Sequence, residues 1–286
     1  MIVGRIRELW RYPVKSMIGE RIDATPLGAN GIPGDRAWAV RDEERGGIRG
    51  AKKIAALMRL RARYREEPTA ARVPAPEIEL PGGATLRASD ANAAQRVSDA
   101  LEHKISLWPL VPADQLDHYR RGAPTHEDME QELRSIFGRN PDEPLPDLST
   151  FPPELFQFES PPGTYFDALP LLLLTDATLR RLQKLAPKSR VDVRRFRPNL
   201  VVATPDGVEE FAEIDWVGKR VRIGEAEISV AMACPRCVMI THGFDDLPQD
   251  TGLMRTVVRE ANQNVGVYAR VERPGRVAVG DAVEVL

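Results

Sequence analysis

Residues 264–286 close the chain as NVGVYARVERPGRVAVGDAVEVL, three β-branched runs parted by Pro-Gly and Gly-Asp. Short apolar runs bounded by turn-forming dipeptides make strands rather than helices. Upstream, IDWVGKRVRIGEAEISVAMA (214–233) repeats the pattern with Gly-Lys and Gly-Glu turns, and RFRPNLVV (195–202) adds one more run. Many short strands with tight turns and few helices predict a curled sheet or barrel. Two helices interrupt them. The buried strand LPLLLL (169–174) runs into TDATLRRLQKLA, with Thr175 as N-cap and Leu179, Leu182 and Leu185 on the inner face, and DTGLMRTVVREANQ (250–263) is the second.

The N-terminal part is strand-rich too. IVGRIRELWRYPV ends at Pro13, and GIPGDRAWAVRD turns between Gly31 and Gly34 into a strand through Trp38 and Val40. KKIAALMRL (52–60) reads as a short helix, RLRARYRE as a half-buried strand, and EIELPGGATLRAS (77–89) as a hairpin. An amphipathic helix follows over 89–104, with Ser89 or Asp90 expected to cap it, and ISLWPLV closes the part as a strand. Residues 111–163 differ in character. They hold a polar helix, THEDMEQELRSIFG, with Thr125 or Asp128 as cap, and then seven prolines within 140–163. Phe151, Phe156 and Phe158 argue against a free tether, so this stretch is expected to be a surface connection or a lid. The division expected is 1–110, 111–163 and 164–286.

Bulk properties exclude several classes. A net charge of −2 with 29% charged residues gives no electrostatic case for nucleic acid or an anionic membrane. The longest apolar run, ALPLLLL, is far short of the roughly 20 residues that span a bilayer. The N-terminus reads as a strand rather than a signal peptide, and with two cysteines there is no disulfide framework, so a cytoplasmic protein is expected.

Those two cysteines, Cys234 and Cys237 of MACPRCVMITHGF, carry the chemistry. The spacing leaves several uses open. A redox dithiol wants a helix N-terminus to lower its pKa, whereas both flanks here are β-branched. A structural zinc ion needs four ligands, and among the four histidines only His242 is close in sequence. Two plain core cysteines are a further reading. A single thiolate offered to a cofactor that brings its other ligands is the last, and a soft, sulfur-held metal suits it.

LWRYPVKSM (9–17), GDRAW (34–38), RFRPNLVV, ACPRC (233–237) and the closing VGVYARV…GRVAVGD occur in that order. Together they resemble the MOSC family, named for the C-terminal domain of molybdenum-cofactor sulfurase, in its two-domain form with an N-terminal β-barrel. By motif the chain is similar to the family's amidoxime-reducing members. The resemblance implies a mainly β chain with some α, an N-terminal β-barrel-like domain and a C-terminal MOSC β-barrel with flanking helices. It implies the molybdenum cofactor (Mo-molybdopterin), with Cys237 as the ligand to the metal. Lys15, Ser16, Arg36, Thr175, Arg197, Asn199, Pro235, Arg236 and Tyr268 are the implied cofactor contacts. Fork-shaped guanidiniums, an ammonium and hydroxyls suit a phosphate. Arg36 on a solvated rim, Thr175 as an ordinary cap, Tyr268 as a core aromatic and His242 as a surface residue are the plain alternatives. Arg194 and Arg195 are read as a solvated face.

The function implied is a molybdenum-dependent oxidoreductase that removes oxygen from N-hydroxylated small molecules. Arg236 would stabilise anionic ligand atoms, and His242 would relay protons. No cysteines remain for an iron–sulfur cluster, so electrons would come from a separate donor protein. A cofactor or sulfur carrier without turnover, and a dithiol oxidoreductase, are the alternatives. The longer turn after Cys237, VMITHGFDDLPQDTG, leaves the substrate undefined.

Overall fold

The structure is a computed structural model that describes residues 1–149, 151–208 and 211–286; Thr150 of the Pro-rich segment lies outside them. Two compact units make up the chain, and neither is continuous in sequence. One comprises residues 1–11, 21–33 and 169–286, the other 12–20 and 34–168. The expected boundaries at 110 and 163 do not coincide with these units.

The first unit is a closed barrel. Its seven strands are β1 (Ile2–Arg11), β2 (Leu171–Thr175), β3 (Leu200–Ala203), β4 (Arg220–Ile223), β5 (Ala226–Pro235), β6 (Asn264–Arg273) and β7 (Ala282–Val285). They follow the order β3-β2-β6-β5-β4-β7-β1, and β1 pairs again with β3 to close the ring. Only β2 with β3 is parallel, because the helix Asp176–Leu185 carries the chain between them. Closure leaves no open edge, and it draws the N-terminal strand into the C-terminal barrel.

Period-two burial sorts the side chains of β2. Leu171 and Leu173 enter the barrel core with Ile6, Leu200, Val202 and Val267. Leu174 faces outward onto Leu182, Phe196, Ile240, Leu253 and Val257, the apolar layer under the two helices. Each such side chain removed from water contributes roughly 1.5–3 kcal/mol. Thr175 caps the first helix as expected, accepting from the Thr178 N–H at 3.2 Å, and Asp250 caps Thr251–Glu260.

The pairing of β5 with β6 shifts register at three places, the last of them next to Pro235. Ala233 of β5 faces Val267, but Pro235 faces Asn264, so β6 carries an extra residue there. Gly266, at φ +78°, supplies this bulge, and a Cβ on it would lie 2.8 Å from the Leu173 carbonyl oxygen. As a result Val267 joins the barrel core while Val265 joins the layer under the helices.

In the second unit, Trp38–Asp42 pairs with Ile48–Arg49 and Ile105–Pro109, and Arg61–Arg63, Glu77–Glu79 and Thr85–Arg87 form another three-stranded sheet. Residues 52–60 contain only a short 3-10 turn, Ala55–Arg59. The helix Ala93–Leu101 starts at Asn92 without a side-chain cap; Asp90 instead accepts from the Arg87 N–H at 2.8 Å, closing the preceding turn. The Pro-rich stretch is folded onto this unit. Val111, Tyr119, Phe158 and Tyr165 form one core cluster with Ala39 and Ile48, and Asp128 caps Met129–Phe137.

Candidate functional site

Strand β5 ends at Pro235, and Cys237 begins the short 3-10 turn Val238–Thr241. Neither cysteine is in a disulfide; Cys234 is buried in the strand and Cys237 half-buried beyond it. The two therefore differ in exposure. Among the described residues no group of three or more His, Cys, Asp or Glu side chains is arranged to hold a metal ion. The turn after Cys237 spans four residues, too short to act as a helix dipole on the thiol.

Arg236 points into the protein. Its Nε donates to the Val265 carbonyl at 2.8 Å and its Nη1 to the Phe196 carbonyl at 2.9 Å, and its guanidinium lies 5.3 Å from the Phe196 ring centroid. The Val265 carbonyl stands next to the Gly266 bulge. Arg236, expected to stabilise anionic ligands, also ties the residue before Cys237 to the bulge and to the turn before Arg197.

Arg197 ends the turn Val193–Phe196 in the left-handed region, at φ 57°, and is buried. Ser16 and Arg36 share that conformation, at φ 69° and 48°. A non-glycine residue held there costs of order 1–3 kcal/mol, and such strain concentrates where a side chain must be aimed. Three of the expected cofactor contacts are held this way.

Asn199 and Thr175 are placed differently. Asn199 accepts from the Leu172 N–H and donates to the Trp10 carbonyl, both at 3.2 Å, which stitches β1, β2 and β3 together. The fully buried Thr175 hydroxyl donates to Glu213 Oε2 at 2.6 Å, beside Thr178 Oγ1 at 2.7 Å. Burial raises the pKa of Glu213, with the two hydroxyls opposing it. The structure therefore gives these two residues framework bonds and does not turn the Thr175 hydroxyl toward an open face. Tyr268 is half-buried on β6, in register with Leu172 and Met232.

The long turn after Cys237 is a folded loop. Arg195, read from sequence as solvated, is 1% exposed. It donates to the carbonyls of Arg190 (3.1 Å), Ile240 (3.1 Å), His242 (2.9 Å) and Pro248 (2.6 Å). Arg194 is ion-paired with Asp192, Asp245 and Asp246, which holds its pKa above the usual value. His242 sits half-buried in this loop, its backbone carbonyl fixed by Arg195.

In the second unit Lys15 is 3% exposed, and its Nζ donates to the Tyr165 carbonyl (2.8 Å), Asp167 Oδ1 (3.1 Å) and Ser160 Oγ (3.4 Å). Burial lowers its pKa, with Asp167 opposing. Ser16 Oγ accepts from the Ala51 N–H at 2.9 Å, and only a glycine fits at Gly50, where a Cβ would stand 2.7 Å from that oxygen. Arg36 donates to Asp35 and lies over the Tyr12 ring at 4.8 Å. Lys52 Nζ also reaches Asp167 Oδ1, at 3.1 Å. Burial would raise the pKa of Asp167, but Lys15, Lys52 and Arg36 together hold it well below the carboxylate range.

Sequence reasoning missed Arg195, Lys52, Asp167 and Glu213. A doublet such as Lys52-Lys53 carries no sign of which carboxylate each member meets; Lys53 pairs with Glu132 at 2.5 Å. In the first unit the half-buried Cys237 thiol is of a kind that suits a soft metal; in the second, the Lys15 and Lys52 ammoniums are of a kind that suits an anion.

The family model described as "MOSC domain" matches residues 162–284, and that described as "MOSC N-terminal beta barrel domain" matches 3–108. Mitochondrial amidoxime reducing component 2 of Bos taurus is 25% identical over 98% of this chain and 83% of its own length. The Homo sapiens protein of that name is 26% identical over the same shares. Among solved structures, the YUAD protein from Bacillus subtilis is 13% identical, over 99% of this chain and 95% of that one, with a TM-score of 0.44. No helix among the described residues is long and apolar enough to cross a membrane. The relatives are named for the mitochondrion, so the cytoplasmic expectation does not extend from them.

Proposed function

The chain belongs to the MOSC family, and from that premise we propose that it is a molybdenum-cofactor enzyme that reduces N-hydroxylated small molecules. The observation that carries the reading is the unequal cysteine pair, with Cys237 half-buried and free at a strand end that Arg236 braces. Cys237 is the residue to hold the metal. Lys15, Ser16, Arg36 and Arg197 are those to hold the phosphate and pterin. When bound, the molybdenum supplies the two-electron abstraction of oxygen from an N–O bond.

The chain's own residues orient and fix. Arg236 holds the Cys237 backbone so that the thiolate meets its partner without reorganisation. The strained backbones of Ser16, Arg36 and Arg197 aim their side chains before the group arrives. His242, five residues after Cys237 in the loop that Arg195 binds, is the imidazole we assign to proton transfer.

Turnover with an artificial donor tests this. The protein purified from a host that makes the cofactor should reduce a benzamidoxime-type substrate with reduced viologen. A protein that holds molybdenum, reduces no N–O compound and passes the group to an apo-enzyme is a carrier instead. Equal loss of activity in Cys234→Ser and Cys237→Ser would point to dithiol chemistry.

A further inference from the structure

The Lys15 ammonium is held by one short stretch of chain. Among the described residues its hydrogen-bond acceptors are Ser160 Oγ, the Tyr165 carbonyl and Asp167 Oδ1, and Glu159 attracts it from the same stretch. The place of that ammonium therefore depends on what fixes residues 159–167. Tyr165 is the fixed point. Its side chain is fully buried in the cluster with Ala39, Ile48, Val111, Tyr119 and Phe158. Its hydroxyl donates to the Pro109 carbonyl at 2.9 Å and lies 2.8 Å from His118 Nε2. With the phenolic proton given to Pro109, the hydroxyl oxygen accepts from His118 Nε2–H, which fixes the tautomer of the neutral ring. The imidazole itself is half-buried, with its centroid 5.1 Å from the ring of Trp108 and 5.1 Å from that of Tyr119.

We propose that Tyr165 and His118 are positioning residues for Lys15: a phenol clamped between a strand end and an imidazole sets where the 159–167 stretch lies, and protonation of that imidazole loosens it. The inference rests on the cofactor reading only for the use to which Lys15 is put. A positive charge on His118 is disfavoured where the ring sits. Burial lowers its pKa from 6.5, and Arg41 of the strand Trp38–Asp42, itself 3.9 Å from Glu43, lowers it further. Tyr119 and Tyr165 have raised pKa values and stay neutral, and Asp117 on the same turn is paired with Arg120 at 2.9 Å. A base whose pKa is depressed on folding contributes stability that is complete above its unfolded value of 6.5 and is lost as pH falls through the folded one. The clamp is thus closed at neutral pH and weakens in acid.

The test uses the full chain purified without cofactor, acetylated briefly at about pH 7.5 and read lysine by lysine by mass spectrometry. Exposed Lys104 is the rate standard, and Lys53, tied to Glu132, is the control for general loosening. Tyr165→Phe keeps the ring and loses both hydrogen bonds, so acetylation of Lys15 should rise about tenfold while that of Lys53 stays as in the wild type. His118→Gln keeps a donor for the phenol without a titrating ring and should leave Lys15 close to wild type. Hydrogen exchange of residues 159–167, corrected for its intrinsic pH dependence, should show severalfold loss of protection from about pH 7.5 to about pH 5.5 in the wild type and none in His118→Gln. Unchanged Lys15 labelling in Tyr165→Phe, equal rises at Lys15 and Lys53, or the same response to pH in wild type and His118→Gln would overturn the proposal. The molybdenum content of wild type from a cofactor-competent host separates the two readings. Molybdenum present without these shifts overturns this inference alone. The predicted shifts in a protein that takes up no molybdenum keep the positioning pair and remove the cofactor reading.

Discussion

Arg236 donates from Nη1 to the carbonyl of Phe196 at 2.9 Å, and so ties the residue before Cys237 to the residue before Arg197. Two expected site residues, forty positions apart in sequence, are positioned by one guanidinium that need not touch a ligand itself.

Arg236→Met should therefore be a stability and loading variant. It loses two charge-assisted bonds to buried carbonyls, worth roughly 2–4 kcal/mol together. The denaturant midpoint should fall, and molybdenum should be retained poorly although Cys237 is intact. Wild-type stability with normal loading would show that the brace is dispensable.

Arg195→Met should loosen the loop after Cys237. Four carbonyls lose their shared donor, at a cost of about 3 kcal/mol. Limited proteolysis followed by mass spectrometry should find new cleavage between residues 242 and 249. A loop as protected as in the wild type would mean that the ion pairs of Arg194 with Asp245 and Asp246 suffice.

Glu213 makes stability depend on pH. Its pKa is raised from 4.5 by burial, against the Thr175 and Thr178 hydroxyls, so the folded state keeps a proton that the unfolded chain has released. Its contribution is complete below pH 4.5 and is lost as pH rises toward the folded value. Stability should fall through that window by up to roughly 1.4 kcal/mol per pH unit. Glu213→Gln should flatten this part of the curve, measured by urea unfolding from pH 4 upward. An unchanged slope would assign the dependence to other groups.

The barrel was legible wherever a local rule decides. Period-two runs and turn dipeptides marked its strands, and Thr175 and Asp128 cap helices as their hydroxyl and carboxylate suggested. A barrel was expected, but the strand that closes it was not legible, because the pairing of β1 with β3 joins residues nearly two hundred positions apart, such as Leu9 with Leu200. The Gly266 bulge escaped for a related reason. VGV reads as an ordinary alternation, and only the count of residues opposite it on β5 reveals the extra one. At the site, motif resemblance picked out Cys237, Arg197, Lys15, Ser16 and Arg36, the last four buried or strained and the first free. It also picked Thr175 and Asn199, whose polar atoms turn out to serve Glu213 and the strands. The burial of Arg195 depends on four carbonyls converging from two loops, which no local pattern encodes.

The most direct test of the account is elemental analysis of the full chain from a cofactor-competent host, wild type beside Cys234→Ser and Cys237→Ser. Molybdenum close to stoichiometric in wild type and Cys234→Ser, and lost from Cys237→Ser, is the predicted result. Equal loss from both variants, or zinc in place of molybdenum in the wild type, would contradict the assignment of Cys237 as the metal ligand.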